Sequence, residues 1–230
     1  MCGRFNQTAS GEEVAEAFGL DEAEALAPRY NICPTQKVAV VSVQPQTGRR
    51  GLAQLVWGLV PRSALGKERG FINARSESAW ERPAFAEAFA ERRCLVPATG
   101  FYEWQKLDER RRQPWLIKLA APGPFAFAGL WEPAAALPGA MPTFTILTTE
   151  PNAVAGQVHD RMPVILDAAD YARWLDPGVT VAAELRPLLR PFPAAAMTAF
   201  PVGTRVNSPA HDDPACLEPA SSPPEQLRLG

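Results

Sequence analysis

The chain lacks long apolar runs. No segment approaches the roughly eighteen apolar residues that a transmembrane helix requires. The N-terminus carries Arg4 and then the polar, acidic stretch NQTASGEE, so it has no apolar region of the kind found in signal peptides. We therefore expect a cytoplasmic protein that does not engage a membrane.

Histidine and paired cysteine are also scarce. The 230 residues include two histidines and four cysteines, and no two cysteines form a Cys-x-x-Cys pair. Disulfide frameworks are rare in a reducing compartment, and a structural zinc site needs four nitrogen or sulfur ligands. Glycine-rich phosphate loops and dinucleotide fingerprints are missing as well. We expect no disulfide framework, no metal and no cofactor.

Neither sign of charge is in large excess, since the net charge is −2. This balance argues against a surface coated in positive charge for indiscriminate binding to nucleic acid. Arginine nevertheless outnumbers lysine nineteen to four. The guanidinium fork suits phosphate and carboxylate, so a local basic groove stays possible. Genomic base composition would explain the same bias, and both explanations remain open.

What the chain does contain is a series of short strand patterns with a few helices between them. Ser10 to Glu13 reads as a capping box, and Asp167 is a candidate cap for a second helix, DAADYARWL. Runs such as KVAVVSV and FAFAGLWE predict strands. We predict an α+β fold: one compact domain over residues 1–220, with a central curved, barrel-like, mostly antiparallel sheet and a few flanking helices. Residues 221–230 are predicted to be a mobile tail.

Cys2 is the first candidate for chemistry. Once Met1 is removed, Cys2 carries a free α-amine beside its thiol, and both groups ionise near neutral pH. The adjacent ammonium and Arg4 are expected to favour the thiolate. A 1,2-aminothiol condenses with an aldehyde, first as an imine and then as a five-membered thiazolidine. The alternative is a small, buried, inert side chain.

Glu103 lies in the strand pattern GFYEWQ. Alternation places Phe101, Glu103 and Gln105 on one face of the strand, and Tyr102 and Trp104 on the other. A carboxylate among aromatic residues is desolvated, which raises its pKa and suits it to proton transfer near neutrality. Pairing with one of the many arginines is the open alternative.

Two further motifs carry candidate residues. In VHDRMPVIL, His159 is suited to acid–base chemistry, and Arg161 to holding phosphate or neutralising Asp160. In INARSE, Asn73 and Arg75 share a face if the segment is extended, and can orient a carbonyl and grip a phosphate. A backbone-bonded histidine, a turn asparagine and a surface arginine are the alternatives.

Seven sequence blocks, in order along the chain, resemble those of one known family. The blocks are MCGRF, YNICPTQ, WGLVP, INARSE, RRCLVPATGFYEW, HDRMPVIL and VNSPAHDDPACLEP. Together they run from residue 2 to about residue 219. The chain thus resembles the SRAP (SOS response-associated peptidase) family of abasic-site processing proteins.

The resemblance implies a covalent mechanism on DNA. Members lose the initiator Met, bind single-stranded DNA and form a thiazolidine crosslink with the ring-opened aldehyde of an abasic site. It implies that Cys2 is the nucleophile, that Glu103 assists imine formation and a lyase-like reversal, and that His159 helps to open the deoxyribose. Asn73 would hold the N-terminal residue.

The same resemblance implies the contacts to DNA. Arg4, Arg75 and Arg161 would grip backbone phosphates, and Trp57 would stack on a base beside the lesion. The expected partner is single-stranded DNA that contains an abasic site. We expect a monomer in a bacterial-type cytoplasm, associated with the nucleoid when bound to DNA. One departure stands out, because the second Trp common after the WGLxP block is missing from WGLVPRSALGKERG.

Two other functions remain open at this point. A thiol peptidase or N-terminal-nucleophile amidohydrolase would use the same Cys2, Glu103 and His159, and could also remove Met1 from its own chain. A single-stranded DNA binding module without chemistry would not need Cys2 at all.

Overall fold

Two β-sheets form the body of the protein. The structure is a computed structural model that describes residues 2–44, 47–62, 70–134 and 140–221. The strands are β1 (Phe5–Gln7), β2 (Arg29–Ile32), β3 (Lys37–Val43), β4 (Arg50–Trp57), β5 (Asn73–Arg75), β6 (Arg93–Ala98), β7 (Gly100–Lys106), β8 (Arg112–Leu119), β9 (Phe125–Glu132), β10 (Thr143–Thr149), β11 (Met162–Pro163), β12 (Ile165–Leu166) and β13 (Met197–Pro201).

The first sheet is antiparallel and has five strands in the order β13-β8-β7-β1-β2. Its centre matters for function, because β1 pairs with β7 in the register Phe5↔Phe101. The pairing extends toward the N-terminus, where Tyr102 N–H donates to the carbonyl of Arg4 (2.9 Å). The first residues of the chain are therefore laid beside the strand that carries Glu103.

The second sheet closes on itself. Its order is β11-β10-β4-β3-β6-β9-β12, and an additional pairing of β10 with β9 joins strands that the order leaves apart. The neighbours are antiparallel except that β10 runs parallel to β4 and to the short β5. The prediction of a barrel-like, mostly antiparallel sheet is confirmed.

In the described ranges, four short helices flank the sheets: α1 (Gly11–Phe18), α2 (Ala86–Glu91), α3 (Tyr171–Leu175) and α4 (Ala182–Leu185). The capping box predicted at α1 is present, with Ser10 Oγ accepting from Glu13 N and the Glu13 carboxylate accepting from Ser10 N. Gly19 ends the helix in the left-handed region (φ 63°), which glycine adopts without a Cβ clash.

The cap predicted at Asp167 is wrong. Residues 168–170 form a 3₁₀ turn before α3, and the Asp167 side chain bonds no N–H of that turn. Its Oδ2 instead accepts from Arg190 Nη2 (3.2 Å). The carboxylate expected to cap the helix thus pairs with an arginine that is distant in sequence.

Three apolar clusters fill the molecule. The helices pack with one cluster around Phe18, Phe89 and Trp174, and the space between the two sheets holds another, which includes Phe5, Trp57 and also Cys2. A small third cluster, around Tyr102 and Leu116, covers the outer face of the five-stranded sheet. Cys2 therefore belongs to the layer between the sheets.

Some expectations fall on residues outside the described ranges. They concern most of the SALGKERG segment (63–69) and the C-terminal tail from residue 222. Within the described ranges, no helix has the length and apolarity to cross a membrane.

Candidate active site

Cys2 is held in place by a strand of the second sheet. Its carbonyl accepts a hydrogen bond from Asn73 Nδ2 (2.8 Å), and Asn73 opens β5. The side chain is 0% exposed, with Sγ 3.9 Å from the carbonyl oxygen of Arg4. The Asn73 side chain thus holds the backbone of Cys2.

The ionisation state of Cys2 differs from the expectation. Burial raises the pKa of the Cys2 thiol far above its ordinary value, and the nearby Glu103 carboxylate raises it further. The Arg4 guanidinium is bonded elsewhere, since it donates to Asn31 Oδ1 (2.8 Å) and to the Val206 carbonyl (2.6 Å). The N-terminal ammonium lowers the pKa of Cys2, as expected, but burial outweighs it; the expected net shift toward thiolate is therefore wrong, and the thiol is protonated at neutral pH.

Glu103 lies in the middle of β7 and is 3% exposed. Strand alternation puts it on the same face as Phe101, toward the space between the sheets, while Tyr102 enters the outer cluster. Desolvation raises the pKa of Glu103 from 4.5 to about 7. A group with this pKa holds and releases a proton readily at neutral pH, as a general acid–base requires.

His159 approaches the same place on the turn between β10 and β11. The turn is tied to β7, because Gln105 Nε2 donates to the carbonyl of Gln157 (3.2 Å). His159 Nδ1 accepts from Arg161 N (3.1 Å) and lies 2.9 Å from Asp160 Oδ1. Desolvation lowers the pKa of His159, so the ring is mostly neutral at neutral pH.

The arginines expected to hold phosphate differ in exposure and in their protein partners. Arg75 is exposed at the end of β5. It lines a cleft of about 270 Å³ together with Asn73, the residue that bonds Cys2, and with Arg82. The guanidinium of Arg161 is instead held by Glu77, with Nη1 to Oε1 at 2.6 Å and Nη2 to Oε2 at 2.8 Å.

Arg4 has partners that the sequence did not reveal. Besides Asn31, its guanidinium lies over the ring of Trp104, 5.6 Å from the centroid. Trp104 Nε1 in turn donates to Asn207 Oδ1 (2.7 Å). Strand alternation in GFYEWQ had already placed Trp104 opposite Glu103, but no signal paired it with Arg4, a hundred residues away.

Trp57 requires a correction. The side chain is 0% exposed, its Nε1 donates to the Ile72 carbonyl (2.8 Å), and its ring packs on Phe5 and Phe144. A ring enclosed in this way offers no face to a DNA base. Trp57 therefore belongs to the core between the sheets rather than to a DNA interface.

The remaining cysteines are structural. Cys33, Cys94 and Cys216 are free and buried, and burial raises the pKa of each thiol. In the described part of the chain, no group of three or more His, Cys, Asp or Glu side chains is arranged to hold a metal ion.

The fold and the site together define a class of protein. Cys2 lies in the layer between the two sheets, the buried Glu103 carboxyl has a pKa near neutrality, and His159 lies on a turn that is tied to the strand of Glu103. The chain matches the family model "SOS response associated peptidase (SRAP)" over residues 1–209 and belongs to that family.

Similar proteins carry a consistent name. The chain is 38% identical over 224 residues to "Abasic site processing protein YoqW" of Bacillus subtilis (strain 168), covering 95% of this chain and 99% of the relative. It is 27% identical to "Abasic site processing protein HMCES" of Xenopus tropicalis, covering 94% and 78%.

Solved structures share the fold. A protein from Bacteroides thetaiotaomicron superposes with a TM-score of 0.81 at 24% identity, covering 95% of this chain and 100% of that one. A phage-related protein from Bordetella bronchiseptica gives 0.71 at 32% identity, covering 87% and 94%. The prediction of an SRAP-like fold is confirmed.

Proposed function

We propose that this protein processes abasic sites in single-stranded DNA by forming a covalent crosslink through Cys2. The observation that carries the proposal is the placement of Cys2: its carbonyl is fixed by Asn73, and the Glu103 carboxylate lies near enough to influence the charge of its thiol. A residue held by its backbone has its amine and its thiol presented together, as condensation with an aldehyde requires.

The reaction begins at the amine. After Met1 is removed, the α-amine of Cys2 adds to the C1′ aldehyde of the ring-opened deoxyribose, and loss of one water gives an imine. The thiol then adds to the imine carbon, and its proton passes to the nitrogen to complete the thiazolidine. Protein and DNA combine with the net loss of one water, and the reverse sequence releases both.

The neutral thiol fits this order of events. A buried thiol with a raised pKa reacts slowly with electrophiles in solution. Once the imine has formed on the same residue, sulfur and carbon are held together, and proximity replaces the advantage of a thiolate. The site would therefore react with an aldehyde that engages the amine, and would spare other electrophiles.

Glu103 and His159 have complementary roles in the proposal. Glu103, with a pKa of about 7, takes a proton from the amine or thiol as each attacks, and returns one to the leaving hydroxyl. His159 acts through its minor imidazolium form: it takes a proton from solvent and gives it to the deoxyribose ring oxygen as the ring opens, while the C1′ hydroxyl releases its proton to water.

The proposed phosphate contacts are Arg4, Arg75 and Arg161. Their guanidinium groups differ in how far they are already bonded to other protein groups. Arg75 is exposed beside Asn73 and is available in the structure as it stands. Arg4 and Arg161 hold protein partners that leave only part of each guanidinium for DNA. Arg75 is therefore proposed to provide the first contact with the strand.

The test is intact-mass spectrometry of the purified protein mixed with an oligonucleotide that bears one abasic site. We expect an adduct equal to the protein without Met1, plus DNA, minus one water. Cys2→Ala provides the control and should give no adduct. The mass of the free protein must be measured alongside, to show that Met1 has been lost.

The contrary result is equally clear. If a protein shown to lack Met1 forms no adduct with the abasic oligonucleotide, the crosslinking proposal is wrong. Hydrolysis of amide substrates by that preparation, lost in Cys2→Ala, would then support the peptidase alternative. A DNA affinity with no adduct would support the binding module.

A further inference from the structure

The carboxylate of Glu77 has no part in the chemistry above, yet it makes one of the best-defined contacts near the site. Glu77 follows β5 by two residues, and both its oxygens accept from the guanidinium of Arg161, at 2.6 and 2.8 Å. A bidentate carboxylate–guanidinium pair fixes orientation as well as distance. The Arg161 hydrogen bond holds the pKa of Glu77 below its usual value.

Arg161 is fixed by a second element. Its Nη2 also donates to the carbonyl of Thr148 on β10 (2.6 Å), the strand whose parallel pairing with β5 aligns Thr148 with Arg75. The side chain is 16% exposed. Glu77 and Thr148 together thus hold Arg161 against the edge of the sheet that carries Asn73.

The backbone of Arg161 connects this clamp, the pairing of the Arg161 guanidinium with Glu77 and Thr148, to His159. Arg161 N–H donates to His159 Nδ1 (3.1 Å), and a backbone amide can only donate. Nδ1 must therefore offer its lone pair, which places the proton of the neutral ring on Nε2. Asp160 Oδ1, 2.9 Å from the same nitrogen, favours the opposite tautomer, but its side chain is 88% exposed and water weakens its attraction.

We propose that Glu77 is a positioning residue: by clamping Arg161 it fixes the turn whose backbone N–H holds His159 in the Nε2–H tautomer. Glu77 touches neither substrate nor Cys2 and acts through Arg161. The effect on reaction rate rests on the proposed function, whereas the tautomer of His159 is a property of the protein alone.

A competing role for Glu77 makes a different prediction. If Glu77 only occupies Arg161 until a DNA phosphate displaces it, removing the carboxylate charge would strengthen DNA binding and leave the rate at saturating DNA unchanged. A positioning role predicts the reverse pattern, with a slower rate and little change in affinity.

The test compares Glu77→Gln with Glu81→Gln. Glu81 is an exposed carboxylate four residues further along, and no side-chain bond of Glu81 to another described residue is present. Both variants remove one negative charge near the site. A difference between the two variants therefore reflects loss of the Glu77–Arg161 pair and not the loss of one negative charge.

The first measurement is ¹⁵N NMR of the imidazole rings at pH 7.5, in protein that has only His159 and His211 to resolve. We expect His159 to be Nε2–H in wild type and in Glu81→Gln, and to become a mixture of tautomers in Glu77→Gln. The second is single-turnover crosslinking at saturating abasic single-stranded DNA. We expect the rate to fall about tenfold in Glu77→Gln, with a Kd within about twofold of wild type.

Each contrary outcome is decisive. An unchanged His159 tautomer in Glu77→Gln overturns the proposal, as does a wild-type rate accompanied by tighter DNA binding. If no variant and no wild-type protein crosslinks, the proposed function fails, and the NMR result still decides whether Glu77 positions His159.

Discussion

At the scale of single residues, the burial of Glu103 has a cost in stability that follows from its pKa. The folded protein keeps the Glu103 proton up to a pH of about 7, whereas the unfolded chain releases it near the ordinary value of 4.5. Between these two pH values the folded state binds more protons, so the free energy of unfolding falls as pH rises. The loss reaches about 3 kcal/mol above pH 7.

Glu103→Gln should remove this dependence. The amide is of similar size and has no charge to desolvate, so its free energy of unfolding should not fall in this way. Relative to wild type, the free energy of unfolding of the variant should therefore rise by up to about 3 kcal/mol from pH 4 to pH 8. Urea unfolding at both pH values measures the change. Glu109→Gln, at an exposed position, should show no such gain. An equal gain in both variants would exclude Glu103 as its source.

The rate of crosslinking should report the same group. With Glu103 as the acid–base, the wild-type rate at saturating DNA should change with an apparent pKa near 7. Glu103→Gln should lose that inflection and react more slowly, with DNA binding retained. A variant that keeps both the wild-type rate and the inflection would remove Glu103 from the mechanism.

The residues that could be predicted from sequence are those governed by local rules. Glu103 faces the interior because side chains alternate along a strand, and its raised pKa follows from that burial. Trp57 and Arg161 were not predictable in this way. The surroundings of Trp57 come from Phe5 and Phe144, and the partner of Arg161 is Glu77, all distant in sequence.

At the scale of elements, α1 is a helix stabilised by a local signal. Its eight residues bury Val14 and Phe18, and the capping box satisfies backbone N–H groups at its start. We expect Ser10→Ala to lower the free energy of unfolding by about 1 kcal/mol. Ser10→Asp, which keeps an acceptor at the cap, should lose much less. Urea unfolding measures both, and equal losses would show that the cap is not the cause.

Strands show where pattern reasoning stops. The runs KVAVVSV and FAFAGLWE form β3 and β9 as predicted. The parallel pairing of β5 with β10 leaves no trace in a three-residue strand, yet it aligns Asn73 with Ile146 and so positions the side chain that holds Cys2. Pairings of this kind are set by closure of the whole ring rather than by the residues of the strand.

At the scale of the whole molecule, much of the arginine charge is paired with carboxylates within the protein. Among the residues that the structure describes, nine arginines form salt bridges with carboxylates: Arg29, Arg49, Arg62, Arg92, Arg111, Arg161, Arg173, Arg190 and Arg205. With a net charge of −2, the protein has no general attraction for a polyanion. Binding to DNA must therefore rest on a few local contacts, of which Arg75 is the most exposed.

That small number of contacts sets the salt dependence of binding. If Arg4, Arg75 and Arg161 each meet one phosphate, log K for single-stranded DNA should fall with log of salt concentration with a slope of about −2. Arg75→Ala should reduce the magnitude of that slope by about 0.7 and weaken binding for all sequences alike. Arg110→Ala, on the exposed turn between β7 and β8, is the matched control and should keep the slope. Fluorescence anisotropy across a salt series measures both variants. An unchanged slope in Arg75→Ala would place the strand elsewhere on the protein, because a lost phosphate contact must release one counterion fewer.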